Sequence, residues 1–146
     1  RGTTNQKYVA AELAKLDAAG LGNDYEDLGT VDHTKKQRLL NNIDLLCVPT
    51  VYQEPKGLFA LEAMAAGVPV VLPEHGAFPE MLADLEGGIL FEPGNTAALS
   101  QLLHTLLENQ KGLAEYGHLG RKNIFARRDA NTMASNTIAA IQKLLA

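Results

Sequence analysis

The sequence predicts an α/β domain: an open parallel sheet with helices on both faces. Short apolar runs, "DLLCVP" at 44–49, "VPVVLP" at 68–73 and "GGILFEP" at 87–93, alternate with helical patterns. Unbroken apolar runs of this length suit strands buried on both faces of a parallel sheet. Gly or Pro stands at most of the joints, and the links are short, as in βα units. The chain has 146 residues, 46% of them apolar and 21% charged. That is enough for one ordinary core and argues against disorder.

Taken in order, residues 5–20 predict a helix, with Tyr8, Val9, Leu13 and Leu16 at helical spacing and Gly20 and Gly22 to stop it. "YEDLG", 25–29, reads as a short strand. Residues 33–42 predict a helix capped by Asp32, with Leu39 and Leu40 turned inward. Strand 44–49 closes at Pro49. The next helix runs from Gly57 to about Ala66, and Gly67 ends it in the left-handed conformation. Strand 68–73 follows. A helix over 77–84 carries Pro79 in its first turn. After strand 87–93, residues 95–109 form an amphipathic helix with Leu99, Leu102, Leu103, Leu106 and Leu107 on one stripe. Two helices, 111–126 and 129–145, complete the chain. No linker, repeat or low-complexity segment divides it. Four strands are within the usual range for an open sheet, but the chain opens on a loop and helix, and a first βαβ unit is expected to be missing.

The net charge of −4 argues against a nucleic-acid partner. Small basic clusters occur at Lys35, Lys36 and Arg38 and at Arg121, Lys122, Arg127 and Arg128. Solvated helix faces explain them most simply; attraction to phosphate or lipid headgroups is the sharper reading. The single cysteine, Cys47, lies in an apolar strand and reads as a core residue in a reducing compartment. Four scattered histidines have no metal-ligand spacing. No apolar run approaches the roughly 18 residues of a membrane span, and the first twenty residues lack the apolar centre of a signal peptide. The chain does not begin with methionine and is expected to be a piece of something longer.

Ligands of a parallel α/β sheet bind beyond the carboxyl ends of its strands, so residues 30–33, 50–57 and 73–79 matter most. In "YQEPKGLFALEAMAAGVPVV", 52–71, Glu62 is the one charged side chain of an apolar helix, and Glu54 precedes it by eight positions. The helix start offers unpaired N–H groups at about Gly57, Leu58 and Phe59, and with the helix dipole these make an anion site that Lys56 adjoins. Carboxylates repel phosphate but accept hydrogen bonds from hydroxyls. Two of them flanking a phosphate site suit a ligand with phosphates in the middle and hydroxyls on both sides, such as a nucleotide sugar. A buried Glu62 needs partners, and ribose hydroxyls would supply them. The residues alone equally allow Glu62 to pair with Lys or Arg, or to face solvent.

This stretch resembles the E-x7-E segment of the retaining family-4 glycosyltransferases, also called group 1, usually written E-G-F-G-L-x-x-x-E-A-M-A-x-G-x-P-V-V. "YEDLGTVDHTKKQRLLNNIDLLCVPT", "HGAFPEML" and "GGILFEPGNTAALSQLLHTLLEN" resemble the family's flanking segments in the same order. The resemblance covers nearly the whole chain. It implies a GT-B enzyme of two Rossmann-like domains, with residues 1–146 as an incomplete C-terminal, donor-binding domain and the N-terminal acceptor domain outside this chain.

It also implies the site. Glu54 takes the catalytic position and holds the donor-sugar hydroxyls. Lys56, Gly57, Leu58 and Phe59 face the diphosphate or sugar, Glu62 takes the ribose, and Thr30 and Val31 meet the base through their backbone. The donor is a UDP- or GDP-hexose, with no metal and no further cofactor. The expected partners are this nucleotide sugar and the enzyme's own N-terminal domain, in the cytoplasm or peripheral to the inner face of the membrane.

The chain departs from the family at Pro55, where Gly is usual, and at Lys56, where an aromatic is frequent. The family's Arg and Lys for the diphosphate belong to a first strand and helix that this chain is expected to lack. Weak donor binding and no catalysis by the fragment alone are therefore expected. A phosphorylase or epimerase of the same fold is one rival. A non-enzymatic nucleotide-binding or interaction module is another, and it predicts a salt-bridged or exposed Glu62. A hydrolase lacks its G-x-S-x-G turn.

Overall fold

A computed structural model describes residues 6–145, which divide into two compact units between Lys35 and Lys36. In the first unit, helix α1 (Gln6–Ala18) leaves Val9 and Leu13 half-buried and Tyr8 and Leu16 exposed. The predicted helix start at residue 5 lies outside the described residues. The expected strand at 25–29 does not form. Asp27 Oδ1 instead accepts the Gly29 N–H at 2.9 Å, and Gly29 has φ 56°. A side chain that bonds its own backbone two residues on offers the chain a turn in place of a sheet ladder. Helix α2 (His33–Leu40) begins in this unit; Asp32 Oδ1 caps it at the Lys35 N–H, 2.8 Å away.

The second unit holds the sheet. Strands β1 (Leu46–Cys47), β2 (Val70–Pro73) and β3 (Gly88–Phe91) pair in parallel in that order. Around them lie helices α3 (Leu58–Ala66), α4 (Phe78–Leu85), α5 (Thr96–Glu108), α6 (Gln110–Arg127) and α7 (Ala130–Leu145). Alternation along the strands divides the core. Val70 and Leu72 point into one apolar cluster with Ala60, Met64, Phe78 and Leu85, whereas Val71 and Phe91 point into another with Leu106 and Leu113. Helices α3 and α4 thus cover one face of the sheet and α5 the other. Helix α6 serves both, through Leu113 at its start and Ile124 near its end.

Two expectations are corrected. The predicted strand 44–49 shrinks to two residues and is half-buried. It is an edge, paired only with β2, whereas all four residues of β2 are buried. Cys47 stays half-buried as a packing residue, and burial pushes its thiol pKa up. In α5 the stripe ends one residue early: Leu106 is buried and Leu107 is exposed. Gly67 ends α3 with φ 86°, as expected. No described helix is long and apolar enough to cross a membrane.

The three arginines of the second basic cluster are used within the fold. Arg121 donates to the Ala65 carbonyl at 3.1 Å and lies over the Phe125 ring. Arg127 and Arg128 grip opposite oxygens of Asp84, at 2.9 and 2.6 Å. These hydrogen bonds, Arg127's first and then Arg128's, hold the Asp84 carboxyl below its ordinary pKa. The stabilisation this gives is present above the usual aspartate range and fades as pH falls through and below it.

Asn123 on α6 is the buried polar side chain of the core; its amide donates to the Leu85 carbonyl at the end of α4, at 3.0 Å. Replacing it by Ala leaves that carbonyl without its donor. We expect Asn123→Ala to lower unfolding free energy by about 1–3 kcal/mol in urea titration.

Candidate functional site

The loops that follow β1 and β2 are tied to each other at the carboxyl end of the sheet. The Ala77 N–H donates to the Glu54 carbonyl at 2.9 Å. His75 Nε2 stands 3.0 Å from the Thr50 carbonyl, which can only accept, so Nε2 carries the proton. The other ring nitrogen, Nδ1, is buried with no partner. Between these ties lies Gly76, at φ 60°. A Cβ there would sit 2.6 Å from the Glu54 carbonyl oxygen and 2.8 Å from its nitrogen. Backbone meets backbone at this point, and only glycine leaves room.

Glu54 is thereby fixed, and its side chain turns to the start of α3. Oε1 accepts the Gly57 N–H at 3.0 Å and the Lys56 N–H at 3.1 Å. These two backbone donors, Gly57 first, pull its carboxyl pKa below the ordinary glutamate value. Neither bond uses Oε2. Gly57 has φ 63° and ψ 40° and begins the helix with no side-chain cap. A Cβ on it would meet Met81 at 2.9 Å and Phe78 at 3.0 Å. The expectation that the Gly57 N–H is open to an anion is therefore corrected: Glu54 occupies it. No acceptor among the described residues meets the N–H groups of Leu58 and Phe59, so the helix start keeps two donors.

For Glu62 the second of the two alternatives holds in the structure: its side chain is 42% exposed, and Lys36 Nζ lies 2.7 and 2.8 Å from its two oxygens. Apolar neighbours on every side suggest burial, but α3 is apolar all round and only Ala60, Ala63 and Met64 are deeply covered. The surface position of Glu62 follows from which face meets the sheet. Of the first basic cluster, Lys36 is the one whose ammonium is so engaged. Lys56 is exposed and lines a cleft of about 310 Å³ with Leu58, Glu80 and Arg128. Thr30, exposed, and Val31, half-buried, lie in the first unit, on the link before α2.

Of the predicted residues, Glu54, Lys56, Gly57, Leu58 and Phe59 gather at one helix start, with Glu62 in the next turn. His75 and Gly76 were legible only as part of a turn before Pro79. Nothing in their spacing signals a contact made 25 residues away. The Lys36–Glu62 pair likewise spans 26 residues.

Loops at the carboxyl edge of parallel strands, around a helix start with spare donors, belong to a Rossmann-like α/β domain, and this edge is where such domains generally take ligands. The family is given by the sequence: the profile of the glycosyl transferases group 1 matches residues 2–123, and the chain belongs to that family. It is 36% identical over 124 residues to the phosphatidyl-myo-inositol mannosyltransferase of Mycobacterium leprae, covering 85% of this chain and 33% of that protein. Among solved structures it is similar to the sucrose-phosphate synthase of Thermosynechococcus elongatus. There the TM-score is 0.77 and the identity 26%, over 90% of this chain and 33% of the other. Anabaena HepE in complex with UDP superposes with a TM-score of 0.81 at 25% identity, over 94% of this chain and 37% of that one. The Rossmann-like α/β expectation therefore holds. The chain spans about a third of the length of the relatives it matches.

The Glu54 tie is open to test by NMR. The Lys56 and Gly57 amide shifts should titrate with a midpoint below that of a free glutamate. The tie is complete above the usual glutamate range and is lost as pH falls through and below it. In Glu54→Gln this titration should vanish.

Proposed function

We propose that the chain is the donor-binding part of a retaining glycosyltransferase that moves a hexosyl group from a nucleoside-diphosphate sugar to a hydroxyl acceptor. The observation that carries this is Glu54, fixed by backbone at both its carbonyl and its carboxylate, beside a helix start with two spare N–H donors. Group 1 membership and the fold shared with a UDP-bound protein support it.

In this reading Oε2 of Glu54 accepts hydroxyls of the donor sugar. The Leu58 and Phe59 N–H groups and the positive end of α3 receive the diphosphate, with Lys56 beside them. As the glycosidic bond breaks, negative charge grows on the departing diphosphate, and fixed donors there stabilise the transition state. Glu62 accepts the ribose hydroxyls. Thr30 and Val31 keep the base, as the resemblance implies. The reading needs no cofactor beyond the donor, UDP- or GDP-hexose. The acceptor falls to the enzyme's own N-terminal domain, and residues 1–146 alone bind donor weakly and do not turn over. The enzyme works in the cytoplasm or at the inner face of the membrane.

The rival module reading has one observation in its favour: Glu62 is both salt-bridged and exposed. Calorimetric titration of the full-length protein with UDP, GDP and ADP separates the two. We expect one nucleotide to bind, and Glu62→Ala to weaken it roughly 10- to 100-fold, the worth of hydrogen bonds to a charged acceptor. No affinity for any of the three would favour the module. Glu54→Ala should cost turnover of the sugar conjugate more than nucleotide affinity; equal losses would remove the sugar contact from Glu54.

A further inference from the structure

We propose that Lys36 is a positioning residue of the nucleotide site, holding the Glu62 carboxylate for a ribose diol and offsetting its charge beside the diphosphate. The inference rests on the donor-binding reading above. The geometry is specific: one ammonium meets both carboxylate oxygens, at 2.7 and 2.8 Å, across 26 residues and from one helix to another. Of the three cations on α2, Lys35 and Arg38 are exposed and Lys36 is half-buried, turned to Glu62.

Fold stability is a poor explanation for the pair. Its side chains are 36% and 42% exposed, and ion pairs this open to solvent add little or nothing to stability. Ligand chemistry explains it better. A carboxylate has about four lone-pair positions. The ammonium takes one on each oxygen, which leaves one on each for the two hydroxyls of a vicinal diol. A bare carboxylate one helical turn from a bound diphosphate would repel it, and a cation held against that carboxylate cancels much of the repulsion. Lys36 acts through Glu62 and need not touch the ligand.

The test uses the full-length protein and UDP, GDP and ADP, each compared with its 2′-deoxy form. For the nucleotide that binds, wild type should prefer the ribose form by about tenfold or more, the worth of one charge-assisted hydrogen bond. Lys36→Met should lose most of that preference: the deoxy form weakens modestly, as the Glu62 charge is left unmatched beside the diphosphate, and the ribose form weakens much more. Lys36→Arg should retain it. Thermal midpoints should stay within a few degrees of wild type; if Lys36→Met does not fold, Lys36→Gln takes its place. Wild-type ribose preference in the Met variant would overturn the proposal. So would equal weakening of both forms, which would mean that Lys36 acts only as a charge on the phosphates or base and does not position Glu62 for the diol. If wild type itself shows no ribose preference, or Glu62→Ala leaves binding intact, the donor-binding reading fails at Glu62, and this inference with it.

Discussion

The candidate site depends on how Glu54 is held. Its carbonyl accepts from Ala77 and its carboxylate accepts from Lys56 and Gly57, so backbone and side chain are fixed by different loops. The first tie exists because Gly76 lets two backbones approach within a distance that any Cβ would prevent. The second exists because Gly57 adopts a left-handed conformation that turns the chain into α3. A loop carboxylate normally loses rotamer freedom when it binds something. Here that cost is met within the fold, through Oε1 alone, with Oε2 outside both bonds.

Much of this was legible in the sequence, for physical reasons. β2 is apolar without interruption because helices cover both its faces, and such a run cannot be mistaken. Gly67 marks a helix end because the left-handed position there favours glycine. The failures have reasons too. "YEDLG" has the look of a strand, but Asp27 bonds to the Gly29 backbone and offers a turn instead. β1 is shorter and wetter than its sequence suggests, since hydrophobicity does not tell a central strand from an edge. The sequence left Glu62 open between burial and a surface pair, because every residue around it is apolar and periodicity cannot decide the orientation of a helix that is apolar all round. Basic clusters invite a ligand reading, yet Arg127 and Arg128 are spent on one aspartate.

Group 1 membership and the geometry inform different questions. Membership says which chemistry to expect from a protein about three times as long as this chain. The geometry says what this part can contribute: two helix-start donors, one fixed carboxylate and one carboxylate chelated by an ammonium. The correction at Gly57 matters here. With its N–H taken by Glu54, the unpaired donors of the helix start begin one residue further into α3, at Leu58.

Helix α6 packs its first turns against one side of the sheet and its last turns against the other. Neither layer can open alone without loosening the segment the other relies on. Local fluctuations of the two layers are thus linked, and the sheet should exchange its amide protons as one cooperative unit rather than as two halves of unequal lifetime.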